Sequence, residues 1–324
     1  MKIARWLFFI LIVGLAIWRL WPELKDLSQI TKTIQNAQIL WLILAVFAIA
    51  GQYFGDGWLS QILLKIAGTT VTLKDNMKIA IMDVFASHLL PLGEAGVIAT
   101  SFYFYKKIGV DNQSVIFLSL LWGFLTNLMM IILLLISIIL LPKLPNMPIH
   151  ISQLTLYLLI IILIISPILI FKGKTIWLTI QKKIGKYHWF LEISKFTKNL
   201  SFHKNALLKN KLMIIFAVLA SFIYYAGNIA SLYFSFLAYG QPPSIALITF
   251  AYIMSLIASF VTLAPAGIGS SEATLVLIFL QFGVAPALTL ASVLTFRIIA
   301  SWLPIPVGFF SYRMMKNHPE KGKI

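Results

Sequence analysis

Four stretches of this sequence, residues 40–64, 114–141, 212–239 and 288–310, stay apolar for at least the thickness of a lipid bilayer. The hydrocarbon layer is about 30 Å deep and takes about 20 helical residues to cross. Inside it no water satisfies the backbone, so each crossing segment must make its own hydrogen bonds, as a helix does. The composition agrees: 60% of the 324 residues are hydrophobic and 11% are charged, against about 25% charged in soluble domains. The expectation is an all-α, polytopic integral membrane protein formed as a single transmembrane domain over residues 1–324.

Shorter runs complete the plan. Residues 6–18, after Lys2 and Arg5, resemble a signal peptide. No small-residue cleavage site follows, so they read as an uncleaved first span. Residues 154–171 form another span. Glycines and polar residues (Gln52, Gly55, Asp56, Gly57) interrupt the run at 40–64. The apolar pieces 79–90 and 95–105 are each too short to cross and are separated by Pro91, Gly93 and Glu94; residues 244–263 and 266–282 are separated by Pro265, Gly267 and Gly269. Each pair reads as a re-entrant helical hairpin. The total is six full spans and two hairpins, or about eight transmembrane segments if the longer arms are counted as crossings.

The basic residues orient this arrangement. Lys and Arg total 26 and Asp and Glu total 10, a formal charge of +16. In a soluble protein that excess would suggest nucleic acid. Here it gathers in alternate connections: residues 172–211 hold ten lysines and one acidic residue, and basic residues also follow the last span. The connections at 142–153, 240–243 and 283–286 share only Lys143. The positive-inside rule then places both termini and the 172–211 segment in the cytoplasm, with a cell membrane as the location. Segment 172–211 reads as an interfacial helix held by anionic lipid, each basic residue adding about 1 kcal/mol near such a surface. The chain has no cysteine, which excludes disulfides, thiolate metal sites and thiol catalysis.

The two halves resemble each other. At an offset of 172, Ala45, Val46, Ala48, Tyr53, Gly55 and Gly68 match Ala217, Val218, Ala220, Tyr225, Gly227 and Gly240, and Asp56 faces Asn228. At an offset of 174, Pro91, Gly93, Gly109 and Val110 match Pro265, Gly267, Gly283 and Val284. The matched segments are expected to cross in opposite directions, giving inverted repeats over about 40–141 and 212–312. Inverted repeats with broken helices are a recurring plan of secondary transporters, with the binding site near the midplane where the breaks meet.

The stretch 262–272, TLAPAGIGSSE, is where chemistry concentrates. A carboxylate at membrane depth costs free energy, which makes Glu272 a functional candidate, and Glu94 beside the first break is analogous. Either could instead cap the helix that follows, where free N–H groups favour an acid by roughly 0.3–1 kcal/mol. Arg297, in the middle of the last span, requires a partner, and Glu272 is the best placed. That pair could be purely structural, or Arg297 could hold a lipid phosphate. Asp83, His88 and Asn127 are the other polar candidates for a substrate cavity, with Asp56 a further polar intruder. No histidine has metal-ligand spacing, and no phosphate loop, zinc-protease helix or nucleophile elbow occurs. The expectation is therefore a non-enzyme without cofactor or metal, whose partners are membrane lipids.

The residues from Pro265 through Gly267, Gly269 and Glu272 to Gly283 and Val284, and then Arg297, Trp302 and Pro304, resemble the C-terminal hallmark of the lysylphosphatidylglycerol synthase transmembrane-region family, also called flippase-like. Pro91, Gly93 and Glu94 are similar to its N-terminal hallmark. The resemblance covers about residues 5–312. It implies a membrane fold that, in the full-length synthases, moves aminoacylated phosphatidylglycerol across the bilayer. This chain lacks the aminoacyl-transferase domain, so synthesis of that lipid is not expected of it. Where many members carry an Arg or Lys after the first Gly-Glu, Val97, Ile98, Ala99 and Thr100 follow here. The leading expectation is translocation of an anionic phospholipid or polyprenyl-linked lipid. The alternatives are a membrane-embedded transferase on lipid-linked substrates and a proton-coupled small-solute carrier.

Overall fold

The computed structural model describes residues 33–89, 94–141, 210–262 and 267–316, which are helical with short connections and contain no strand. The helices are α1 (Ile39–Ile66), α2 (Leu73–Leu89), α3 (Glu94–Lys107), α4 (Asn112–Leu140), α5 (Lys211–Leu237), α6 (Ile245–Thr262), α7 (Ser270–Gln281), α8 (Pro286–Arg297) and α9 (Pro304–Lys316), with a π-helical turn at Ile298–Trp302 joining the last two. Among the described residues five segments are long and apolar enough to cross a membrane: α1, α4, α5, α6 and the continuous Pro286–Lys316. The expected spans at 6–18 and 154–171, and the basic segment up to residue 209, lie outside the described residues.

Helix starts recur along the chain. The first set begins at residues 39, 73, 94 and 112 and the second at 211, 245, 270 and 286, separations of 172, 172, 176 and 174. The turns match as well. Gly109 at φ +93° and Gly283 at φ +78° occupy the left-handed region that ends a helix without a Cβ penalty. The N–H groups of Gly109 and Val110 donate to the carbonyls of Lys106 and Tyr105, both at 3.0 Å. Those of Gly283 and Val284 donate to Leu280 and Phe279, also at 3.0 Å. Donors and acceptors are thus displaced by the same 174 positions.

The glycines expected to interrupt 40–64 do something else: α1 runs unbroken through them for 28 residues. They are sites of close approach. A Cβ on Gly55 would lie 2.7 Å from the Tyr224 backbone nitrogen and 3.0 Å from the Ala220 carbonyl oxygen, on α5. A Cβ on Gly227 would lie 2.6 Å from both the Ala48 oxygen and the Gln52 nitrogen, on α1. Residues 48 and 52 are the 172-offset counterparts of 220 and 224, so each helix presents the same contact to the other. The crossing is antiparallel, and the Gln38 N–H before α1 donates to the Ala238 carbonyl after α5 at 2.9 Å. Gly57 similarly admits Met77 of α2. With lipid on one side and protein on the other, helices associate by close packing, which small residues allow.

Two apolar cores flank this crossing. One gathers Leu59, Ile79, Met82, Phe104, Val115 and Leu118 from α1 to α4. The other gathers Leu232, Ile248, Ile253, Leu275, Phe279 and Val293 from α5 to α8. The long spans are shared: Met129 and Leu134 of α4 sit in the second core, and Met315 of α9 sits in the first. Outside, Ile39, Phe47 and Ile139 are 71, 68 and 77% exposed, an apolar exterior suited to lipid.

Between the paired break segments, α2 packs on α3 and α6 on α7. With 17, 14 and 12 residues, α2, α3 and α7 measure roughly 25, 21 and 18 Å at 1.5 Å per residue. All three are shorter than a full crossing. α6, at 18 residues, meets the length and hydropathy of a crossing by itself. Both breaks separate helices as expected, but Pro91, Gly93 and Pro265 lie outside the described residues.

At the aqueous end of α4, Asp111 caps the helix. Its carboxylate accepts the backbone N–H groups of Gln113 at 2.9 Å and Ser114 at 3.0 Å, and the Ser114 hydroxyl at 2.6 Å. Partial burial pushes this carboxyl up, but the Ser114 hydroxyl and these backbone donors outweigh it and hold the group below the usual carboxylate range. A depressed acid contributes stability above its unfolded pKa, near 3.9, and loses it as pH falls through the folded value. Asp111→Ala should therefore cost about 1 kcal/mol near neutral pH. The gap from wild type in thermal unfolding should close below about pH 4.

Candidate functional site

The second break is held by small residues and one acid. Gly267 (φ +66°) and Gly269 (φ +83°) turn the backbone into a region that side chains disfavour. A Cβ on Gly267 would also collide with the Ser259 side chain of α6. The Thr262 hydroxyl at the end of α6 donates to the Ser270 hydroxyl at the start of α7, at 3.0 Å. The Ser270 hydroxyl in turn donates to the Gly267 carbonyl at 3.2 Å.

Glu272 lies in the first turn of α7 and serves two partners. Its Oε2 accepts the Gly269 N–H at 2.8 Å, the acidic half of a capping box that glycine cannot reciprocate. Its Oε1 accepts the Arg297 Nε–H at 2.6 Å. The side chains of Arg297 and Glu272 are 11% and 24% exposed. The structural and the pairing roles weighed from the sequence are thus combined in one carboxylate, with an oxygen for each.

Arg297 is the last residue of α8, immediately before the π-helical turn. That turn follows from Pro304. Proline cannot continue the ladder and clashes with the carbonyl four residues back, and the chain widens so that the Leu303 N–H reaches the Ile298 carbonyl at 2.8 Å. Tyr252 of α6 packs edge-on against Phe296, with centroids 6.1 Å apart.

Asp83 and Asn127 have hydrogen-bond partners of their own. Asp83 on α2 accepts the Ser101 hydroxyl of α3 at 2.5 Å. Asn127 is exposed and donates to the Gly123 carbonyl of its own helix at 2.7 Å, so it bridges no helices. Glu94 opens α3, and His88 is in the last turn of α2. Their side chains lie outside the described residues.

Sequence reasoning missed the partners in the first set. The Trp122 indole N–H of α4 donates to Asp56 of α1 at 2.7 Å. The Tyr105 hydroxyl of α3 donates to Asn76 of α2 at 2.8 Å. These pairs join residues 66 and 29 positions apart, which helical periodicity cannot connect. Among the described residues no group of three or more His, Cys, Asp or Glu side chains is placed to hold a metal ion.

Comparison with known proteins finds membrane proteins. The sequence is 24% identical over 131 residues to a UPF0104 membrane protein of Methanocaldococcus jannaschii, covering 40% of this chain and 38% of that one. It is 24% identical over 102 residues to a UPF0104 membrane protein of Methanothermobacter thermautotrophicus, and 29% identical over 102 residues to one of Pyrococcus horikoshii. Each of these two matches covers 32% of this chain and 30% of the relative, so the chain spans about a third of the length of the relatives it matches. The family model for the lysylphosphatidylglycerol synthase TM region matches residues 6–308. The hallmark at Pro265–Glu272, the arginine that Glu272 holds and the match over nearly the whole chain agree: this multi-pass membrane protein belongs to the lysylphosphatidylglycerol synthase TM region family.

Proposed function

We propose that this protein is a lipid translocase without enzymatic activity. In this reading it moves the headgroup of an anionic phospholipid or polyprenyl-linked lipid through a polar cavity between two re-entrant hairpins, α2–α3 and α6–α7. Both termini face the cytoplasm, and the membrane is the cell membrane. The family, described by a lipid synthase's membrane region, supports a lipid-related role.

The observation that carries the reading is the Glu272–Arg297 pair, 2.6 Å apart beside a broken helix. A guanidinium suits a phosphate because its planar donors match two oxygens at once. A headgroup phosphate that displaces the Glu272 carboxylate keeps the Arg297 guanidinium paired throughout the exchange. Glu272 retains its bond to the Gly269 N–H and keeps the helix start in place.

The test is headgroup movement in reconstituted vesicles, measured separately with a labelled phosphatidylglycerol and a polyprenyl phosphate. A hydrogen bond to a charged group is worth about 1.5–3 kcal/mol. Arg297→Ala and Glu272→Gln should therefore slow movement at least about tenfold for one of these lipids. Wild-type rates in both variants with both lipids would end the proposal.

A further inference from the structure

The acids of the two helix sets are compensated differently. In the second set Glu272 has Arg297. In the first set Asp56 and Asp83 lie within electrostatic reach of each other, and their hydrogen-bond partners are neutral: Trp122 for Asp56 at 2.7 Å and Ser101 for Asp83 at 2.5 Å. The offset of 174 places Gly123 where the second set has Arg297, and a Cβ there would meet nothing within 4 Å. The offset of 172 pairs Asp56 with Asn228 and Asp83 with Ser255. Both counterparts are neutral and bonded within their helix, Asn228 to the Tyr224 carbonyl at 3.1 Å and Ser255 to the Tyr252 carbonyl at 2.6 Å. Among the described residues these two carboxylates are thus specific to the first set, and neither of these hydrogen bonds comes from a guanidinium.

Two buried atoms of the first set have no hydrogen-bond partner. Asp83 Oδ1 accepts no hydrogen bond. The Tyr53 hydroxyl, one turn before Asp56 on α1, belongs to a side chain only 5% exposed and is likewise unbonded. Its phenol lies within electrostatic reach of the Asp56 carboxylate. From α3, Tyr105 is within reach of both carboxylates and is engaged by Asn76. From α9, which also packs on α2, Tyr312 contacts Phe85, and Arg313 stands over Phe309.

Two carboxylates at membrane depth cannot both remain charged and uncompensated, because each buried ion costs several kcal/mol. We propose that Asp56 and Asp83, with Tyr53 and Ser101, bind one small monovalent cation from the water, a proton or Na⁺, in the role that Arg297 fills in the second set. With one oxygen of each carboxylate already accepting a hydrogen bond, one oxygen remains on each of the four side chains, fewer than the roughly six or more that Ca²⁺ and Mg²⁺ call for.

The experiment uses the full chain, purified and reconstituted. Thermal unfolding is followed while Na⁺ replaces N-methylglucamine at constant ionic strength. In parallel, infrared spectra record the protonated-carboxyl C=O band as pH is varied. If Na⁺ binds, the unfolding midpoint rises saturably with Na⁺, and Asp56→Asn and Asp83→Asn remove the response. If a proton binds, Na⁺ has no specific effect, and the wild-type carboxyl band loses intensity in either variant.

Tyr53→Phe and Ser101→Ala keep both acids and guard against misfolding of the asparagine variants. In these the half-saturating Na⁺ concentration should rise about tenfold, or the pH midpoint of the band should move, as expected for one lost bond to a charged group. No Na⁺ response, together with a carboxyl band indifferent to all four substitutions, would overturn the site. None of these measurements follows lipid movement. A protein that binds the cation and moves no lipid would keep this inference and refute the translocase reading.

Discussion

Gly227→Val should leave little folded protein in the membrane, and Gly55→Val should do the same from the other side of the crossing. Overpacking a core commonly costs about 1–3 kcal/mol, where side chains can shift to make room. Here the obstacles are backbone atoms of the facing helix, 2.6 Å from a Cβ on Gly227 and 2.7 Å from one on Gly55. To admit a side chain, α1 and α5 must move apart along their main interface. The cost should exceed about 3 kcal/mol for valine and be smaller for alanine. Gly51, also on α1, provides the control, because a Cβ there meets nothing within 4 Å. Size-exclusion yield and unfolding midpoint should fall for the first two variants and hold for Gly51→Val. Equal losses in all three would mean that generic helix effects, not the crossing, govern the result.

The second large effect concerns Glu272 and Arg297, where stability and function should separate. Removing one member of a buried ion pair strands the other and typically costs about 3–5 kcal/mol. Arg297→Met alone leaves the Glu272 carboxylate without its guanidinium, and Glu272→Gln alone takes the carboxylate from the guanidinium. The double variant Glu272→Gln, Arg297→Met removes both charges and keeps an amide oxygen to accept the Gly269 N–H now bound at 2.8 Å. Replacing a buried pair by neutral groups of similar volume is often neutral or stabilising. Unfolding midpoints should therefore drop in each single variant and recover in the double, while lipid movement stays lost in all three. Recovery of movement in the double variant would reduce the pair to a structural clasp.

Much of this molecule can be read before any coordinates are seen, for identifiable reasons. Helical spans follow from apolar length, because lipid leaves the backbone no other local solution. Gly109 and Gly283 stand out because a positive φ demands glycine and the following valines repeat with them. An arginine in a span demands an acid, and Glu272 is within bonding distance of Arg297.

What stayed hidden depends on how helices face one another. Gly55 and Gly57 look like interruptions along the chain and become contact points only when α5 and α2 are placed against them. The Asp56–Trp122 and Asp83–Ser101 bonds join residues 66 and 18 positions apart, with no periodicity to connect them. The π-helical turn could have been suspected from Pro304, but its placement directly after Arg297 could not.

That turn has a mechanical meaning. α8 packs on α5 and α7, while α9 packs on α2, so one continuous span is anchored at its two ends to different parts of the molecule. α4 is anchored in the same crosswise manner but runs as an unbroken α-helix from Asn112 to Leu140. Of the two struts, then, one is stiff and the other carries a joint at Ile298–Trp302. Sliding of α2 relative to α5 would strain the joint first, and the residue at its edge is Arg297. The lever arm and the charge it would swing are neighbours in the chain.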